Sequence, residues 1–335
     1  MRSKCIRAPR SEGEVVRRQL VEADLVDNRL RIFSDEAYVY IPVIEGLSQE
    51  IAGKMDLVLT ENDFVENERV KSITEILGFA PSFEVIGDLA VVAEDYDQKV
   101  GEAIMAVHKN VKAVLVPTSP VSGEFRVREF KVLCGENRTT TSYKENGFTY
   151  EMDLATVYFS PRMSTERLRV AGLTNDSEVV LDMFCGVGPF ALPMARHAMF
   201  VVAVDKNPHA IEYLKKNMAL NKVTNVEAVN MDAREIEVMQ PVDRIVMNLP
   251  HTAFDFLDVA FRSIRTGGII HYYDIQPETE IFEGIVNKVR GKATECGCLI
   301  DIAEKRIVRS YSPHEYNIVL DIRVVGKKDE YGETS

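Results

Sequence analysis

The stretch from Val179 to Asn221 constrains this chain more than any other part of it. It reads VVLDMFCGVGPFALPMARHAMFVVAVDKNPHAIEYLKKNMALN: an apolar run closed by an acidic residue, a glycine turn, a helical segment, then a second apolar run closed by a second acidic residue. Val179-Val180-Leu181 has the short, apolar composition of a strand buried on both faces of a parallel sheet, and it stops at Asp182. In the turn Gly186-Val187-Gly188-Pro189-Phe190-Ala191 the glycines allow tight turning and close approach of a ligand to the backbone, while Pro189 suits the start of a helix. The second strand, Phe200 to Val204, ends at Asp205, nineteen positions after Gly186, about where nucleotide-binding βαβ units place the carboxylate that receives a ribose hydroxyl. Together these predict an adenosine-type ligand at Asp182, the glycine turn and Asp205.

Taken literally, G-x-G-x-x-A also admits an NAD-dependent oxidoreductase, and the surroundings separate the two readings. Asp182 lies before the glycines, Phe184-Cys185 leads into them, and Asp205 is followed by Lys206-Asn207-Pro208-His209-Ala210 and a helix carrying Asn217. This arrangement resembles S-adenosylmethionine-dependent methyltransferases of the Rossmann-like type, in which no pyrophosphate has to be cradled. The resemblance implies that Asp182, Phe184, Gly186, Gly188, Asp205, Lys206 and Asn248 contact S-adenosyl-L-methionine and that Asp232 lies near its adenine. An Asp-Ala turn after a strand equally reads as a helix cap.

At 335 residues the chain exceeds a usual single domain, and two or three are expected. Residues 1–60 read as a small α/β domain with a helix at Glu12 to Glu22 and strands at Leu30 to Phe33 and Ala37 to Pro42. Lys4, Arg7, Arg10, Arg17 and Arg18 cluster near one end of it. Residues 61–82 are acidic and polar, with Gly78 and Pro81 as breakers, and read as a linker with a short helix. Residues 83–170 form a middle α/β domain: a strand pair at Phe83 to Val92, a helix at Gln98 to His108 and a strand at Ala113 to Val116. Between Gly123 and Tyr158, Arg126, Arg128, Lys131, Arg138 and Lys144 alternate with Phe125, Phe130, Tyr143, Phe148 and Tyr150, which predicts strands exposing a basic, partly aromatic face to RNA. Residues 171–335 alternate strand and helix, including a helix at Thr252 to Arg265 and strands at Ala303 to Val308 and Asn317 to Val324. They predict a doubly wound sheet of about seven strands. The fold class is therefore α/β, a Rossmann-like class I methyltransferase sheet with additional small N-terminal and middle α/β domains.

Composition excludes several alternatives. No run approaches eighteen apolar residues and the N-terminus lacks an apolar signal core, so a cytoplasmic protein without a membrane partner is expected. Cys5, Cys134, Cys185, Cys296 and Cys298 are odd in number and scattered, which predicts reduced thiols, and no set with metal-ligand spacing stands out. A net charge of −12 argues against indiscriminate nucleic-acid binding but leaves room for a localised basic face.

Asn248-Leu249-Pro250-His251 follows a strand at Asp243 to Met247, where α/β sheets place ligand-contacting loops. The string NLPHTAFDFLDVAF, with GEFRVREF, GENRT, VYFSPRMSTERLRV, HYYDI and KRIVRSYSPHEYN, closely resembles the archaeal and eukaryotic tRNA (guanine37-N1)-methyltransferase family from about Val121 to the C-terminus. The N-terminal sixty residues resemble, more thinly, the small domain with which archaeal members touch the tRNA elbow. That family methylates N1 of the guanine on the 3′ side of the anticodon. The nitrogen bears a proton in the neutral base, so a general base and stabilisation of charge on O6 are needed. By resemblance, Glu166 removes the proton, Arg126 stabilises O6, and Asn248 with Pro250 holds the guanine edge; Arg128, Arg138, Tyr158 and Arg162 contact the tRNA substrate. Read alone, Glu166 flanked by Arg167 and Arg169 is a helix ion pair. The resemblance implies a monomer and needs no metal. Related archaeal enzymes that methylate a wyosine precursor at the same position are the alternative within the class. A catalytically inactive RNA-binding protein and the NAD-dependent oxidoreductase are the alternatives outside it.

Overall fold

The computed structural model describes residues 1–67, 71–120, 123 and 125–328. Residues 68–70 of the expected linker, Val121 and Glu124 at the start of the family-like stretch, and residues 329–335 of the methyltransferase segment lie outside the described residues. Two compact units separate, Met1–Ile76 and Leu77–Ser335.

In the first unit β1 (Arg2–Pro9), α1 (Gly13–Glu22), β2 (Phe33–Ser34), β3 (Tyr38–Pro42), α2 (Gln49–Lys54) and β4 (Val58–Asp63) follow in order. The strands form one sheet in the order β2-β3-β1-β4. Its core joins Val16 and Leu20 of α1 to Ile6, Ala8 and Ile41, the helical period meeting the strand period on one face. The strand expected at Leu30 to Phe33 shrinks to β2, with Leu30 making an isolated bridge to Glu66. Three residues of the segment read as a linker belong to β4. Within the basic cluster Arg17 pairs with Glu14 at 2.8 Å and Lys4 donates to the carbonyl oxygens of Glu45 and Leu47, both at 3.2 Å.

Helix α3 (Ile73–Leu77) crosses the unit boundary. Beyond it β5 (Phe83–Ile86), β6 (Leu89–Val92), α4 (Gln98–Val107), β7 (Ala113–Pro117) and β8 (Phe130–Gly135) build a sheet in strand order. A hairpin of β9 (Thr140–Glu145) and β10 (Phe148–Asp153) leads to α5 (Ser164–Leu173). Then come β11 (Val179–Asp182), α6 (Ala191–Ala195), β12 (Phe200–Asp205), α7 (Pro208–Leu220), β13 (Val226–Asn230), β14 (Val242–Met247), α8 (Leu257–Ser263), β15 (Ile264–Pro277), α9 (Glu283–Glu295), β16 (Cys298–Ser312) and β17 (Glu315–Lys327). Their sheet runs β13-β12-β11-β14-β15-β17-β16, with β11 to β15 parallel and β17 antiparallel to both neighbours. The winding reverses between β11 and β14, the switch point at which open α/β sheets bind ligands beyond their carboxyl ends.

Successive residues of the central strands enter opposite cores. Val180, Tyr273 and Val319 belong to one, Leu181, Tyr272 and Leu320 to the other, as expected of strands covered on both faces. The first core also takes in Ile86, Leu89, Leu115, Phe148 and Tyr150, so residues 83–170 share it with the methyltransferase sheet rather than enclosing their own. The expected basic and aromatic RNA face on β9 and β10 is corrected by the same alternation. Phe148 and Tyr150 are 2% and 0% exposed and face the core, while Lys144 points to solvent. The helix expected to reach Arg265 gives way to β15 at Ile264, and the C-terminal hairpin is longer than its sequence pattern indicated. Among the described residues no helix is long and apolar enough to cross a membrane.

Candidate active site

A cavity opens at the carboxyl ends of β11, β12 and β14. Asp182 closes β11 just beneath it and is 1% exposed. Burial pushes its carboxyl up to about 7 despite a hydrogen bond from the Phe184 amide at 3.4 Å. Its Oδ2 is buried with no partner. Asp205, at the end of β12, accepts from the amides of Gly186 and Asn207, each at 2.8 Å. Burial raises its pKa as well. One carboxylate thus ties the glycine turn to the start of α7, and each oxygen keeps a lone pair for a ligand hydroxyl.

Gly186 and Gly188 have φ of +52° and +93°, the left-handed region that favours glycine. At Gly188 a Cβ would also lie 2.6 Å from Leu214 Cδ1, so that glycine lets α7 pack on the loop and does not itself line the cavity. Asn217, 0% exposed, anchors α7 by accepting from the Glu151 amide at 2.7 Å and donating to the carbonyl oxygens of Glu151 and Val187, both at 3.1 Å. Asp232 accepts from the Arg234 amide at 2.9 Å, the cap geometry, and also lines the cavity, paired with Lys206 at 2.9 Å. That amide and Lys206 hold its carboxyl below the usual range. Next to it Phe184 and Phe256 meet edge to face, centroids 5.0 Å apart, and the Arg234 guanidinium lies 4.5 Å from the Phe256 centroid. Carboxylates for hydroxyls, an aromatic wall for a purine and a glycine turn that admits close approach suit an adenosine-containing cofactor.

The opposite wall is made by distant segments. Arg126, at φ +54°, donates from Nη1 to the Pro250 carbonyl oxygen at 2.9 Å and lies 5.6 Å from the Tyr158 ring centroid. Pro250 sits in the loop after β14, where His251 has φ +83° and its Nε2 lies 3.3 Å from the Tyr311 hydroxyl. Arg126, Tyr158, Asn248 and Pro250 therefore line the same cavity as Phe184, Gly186, Asp205, Lys206 and Asp232.

Glu166 and Arg138 stand outside the cavity lining. Glu166 does not line the cavity, although Met163 and Arg167 around it do. It is 5% exposed; both oxygens are engaged by Arg169, at 2.7 and 2.9 Å, and the Tyr273 hydroxyl donates to Oε1 at 2.8 Å. Arg169 also holds Asp321 at 2.7 Å, and Asp321 lies 2.6 Å from His271 Nδ1. A guanidinium only donates, so Arg244, 2.7 Å from His271 Nε2, fixes that nitrogen as the acceptor and Nδ1 as the donor to Asp321. Arg138, expected on tRNA, instead clasps Asp88 and Glu136, both at 2.6 Å, and locks the start of β9 to the β5–β6 turn. Arg128 and Arg162 line an adjoining cavity, Arg162 paired with Glu84 at 2.7 Å.

Phe256, Arg234, Arg309, Tyr311 and Asn317 line the main cavity without having been singled out. The last three come from the β16–β17 hairpin, where Arg309 faces Asn317 across the ladder. Their signal was the motif KRIVRSYSPHEYN, to which no role had been attached.

Comparison with known proteins places these features in context. The model of the TRM5/TYW2 methyltransferase domain matches residues 141–301, that of the tRNA methyltransferase 5 N-terminal domain residues 5–51, and that of the TYW2 N-terminal domain residues 70–139. The chain is 42% identical over 328 residues to tRNA (guanine(37)-N(1))-methyltransferase Trm5b of Pyrococcus abyssi, covering 95% of this chain and 98% of that one. The complex of aTrm5 with tRNALeu superposes with a TM-score of 0.73 at 34% identity, covering 96% of this chain and 99% of that chain. TYW2 of M. jannaschii in complex with AdoMet matches with a TM-score of 0.59 at 28% identity, covering 72% of this chain and 99% of that chain.

Proposed function

The chain belongs to the TRM5/TYW2 methyltransferase family, and from that membership we propose that it is a tRNA (guanine37-N1)-methyltransferase. The observation that carries the choice is that the likeness to Trm5b covers 95% of the chain, with the tRNA methyltransferase 5 N-terminal domain matching residues 5–51, whereas the TYW2 structure covers 72% of it. That favours guanosine over a wyosine precursor as acceptor.

S-adenosyl-L-methionine is the cofactor; when bound it would supply an electrophilic methyl group on its sulfonium sulfur, with S-adenosylhomocysteine as the leaving group. Asp205 would hold its ribose, the wall of Phe184 and Phe256 with Asp232 its adenine, and Asp182 would brace the loop from below. The acceptor guanine enters from the side of Arg126, Asn248 and Pro250. Arg126, aimed by Pro250 and Tyr158, faces charge developing on O6, and Asn248 with Pro250 holds the guanine edge. Proton removal from N1 falls to Glu166. To reach the guanine it exchanges Arg169 and Tyr273 for the cavity, and Arg169, already bound to Asp321, keeps a partner when it leaves. Hydrogen bonds at catalytic groups often form only in the substrate complex.

Tyr158 and the arginines near the cavity mouth would meet the anticodon stem-loop, and the exposed basic residues of the first unit a separate part of the tRNA. The enzyme would act as a cytoplasmic monomer. The test compares methyl uptake from labelled S-adenosylmethionine into two tRNAs differing only at position 37. Uptake with guanosine and none with adenosine supports the reading; equal uptake by both refutes it.

A further inference from the structure

A second cavity adjoins the active one. Arg126, Tyr158, Phe159, Ser160, Arg309 and Tyr311 line both, so the two form one groove divided by a shared wall. Beyond that wall the second cavity adds Arg128, Phe130, Glu84 and Arg162. Its cations are not equivalent. Arg162 is neutralised by Glu84 at 2.7 Å, and Arg126 is held by the Pro250 carbonyl oxygen at 2.9 Å. Arg128 and Arg309 have no carboxylate partner among the described residues. Arg309 makes a long contact of 3.3 Å to the Ser310 carbonyl oxygen, while its Nε is buried with no acceptor at all. A buried donor without an acceptor in the protein is costly and stays open to one supplied by a ligand. Tyr311, 40% exposed, stands beside it, its ring centroid 5.8 Å from the Arg309 guanidinium.

Aromatic rings beside uncommitted arginines are what unstacked bases and phosphates require. A guanosine drawn into the active cavity stays tethered to its neighbours by single phosphodiester links, so one of them leaves through the adjoining space. Resting on the tRNA methyltransferase reading, we propose that the second cavity receives the nucleotide next to the target guanosine in the same strand. Its base lies on Tyr311 and its phosphate between Arg128 and Arg309.

The test uses the full chain, tRNA containing guanosine 37, and the same tRNA made abasic at the 5′ or the 3′ neighbour. Arg128→Ala and Arg309→Ala should each weaken tRNA binding about 5- to 20-fold and lower the slope of log affinity against log salt by about one, and Arg128→Ala, outside the active cavity, should leave S-adenosylhomocysteine affinity unchanged. One abasic substitution should weaken the wild type about tenfold and add nothing further in Tyr311→Ala, and the side on which this occurs identifies the neighbour. The proposal falls if Tyr311→Ala and both abasic losses multiply independently, or if the salt slope does not move. A wild type that binds S-adenosylhomocysteine yet methylates no guanosine 37 tRNA strikes the parent reading instead.

Discussion

The Arg126 guanidinium donates to the Pro250 carbonyl oxygen at 2.9 Å across 124 positions of sequence, joining the segment before β8 to the loop after β14. Arg126 makes that contact from φ +54°, a left-handed backbone uncommon for a residue other than glycine. Arg126→Ala should lower the single-turnover rate of methyl transfer about 10²- to 10³-fold while S-adenosylhomocysteine affinity changes less than about twofold. Arg126→Lys should recover little, since an ammonium on a flexible stem does not reproduce the planar fork. Rapid-quench kinetics and calorimetry check both, and a loss confined to cofactor affinity would place Arg126 elsewhere in the mechanism.

Glu166→Gln removes the proposed proton acceptor while leaving Arg169 bound to Asp321. Transfer should fall about 10²- to 10⁴-fold with tRNA and S-adenosylhomocysteine binding nearly intact. A variant that transfers methyl at the wild-type rate would remove Glu166 from the chemistry.

The buried carboxyl of Asp182, pushed up to about 7 by burial, makes stability depend on pH. Its folded-state value lies above its unfolded one, so the folded protein retains a proton that the unfolded chain has released between roughly pH 4 and 7. That contribution is present at low pH and lost as pH rises through about 7. Asp182→Asn, which never ionises, should leave stability near wild type at pH 4 and raise it at pH 8 by on the order of 4 kcal/mol, read as a higher melting temperature. Calorimetric melting of both proteins across that range checks it; parallel curves would show that Asp182 is not held this way.

Gly188→Ala sets a Cβ at φ +93° and 2.6 Å from Leu214 Cδ1. Strain and overpacking together should cost about 2–4 kcal/mol, read as a lowered denaturation midpoint, and S-adenosylhomocysteine binding should weaken because the turn shifts. A neutral substitution would mean that α7 moves freely away from the loop.

How much of this was legible in the sequence depends on the range of the interactions involved. The βαβ unit from Val179 to Asn221 was readable because its signals are local: strand composition, glycine turn and strand-end carboxylates lie within a few residues of one another. The middle segment was misread at Phe148 and Tyr150, since alternation identifies two faces of a strand without saying which one meets a core contributed by α7 and the methyltransferase sheet. Arg138 looked like every other basic strand residue until Asp88 was beside it. Glu166 shows the same limit at the site itself. Its partner Arg169 was visible at helical spacing, but Tyr273 and Asp321, which decide where the carboxylate rests, come from β15 and β17. Arg309 and Tyr311 reach the cavity only because an antiparallel hairpin extends the parallel sheet past its last βα unit.

Nucleoside mass analysis of a tRNA carrying guanosine 37, digested after incubation with the protein and S-adenosylmethionine, decides whether this enzyme methylates guanine N1. The expected product is 1-methylguanosine at that position, with one equivalent of S-adenosylhomocysteine per methyl transferred. Cofactor consumption without 1-methylguanosine, or a methyl accepted only by a wyosine precursor, would contradict it.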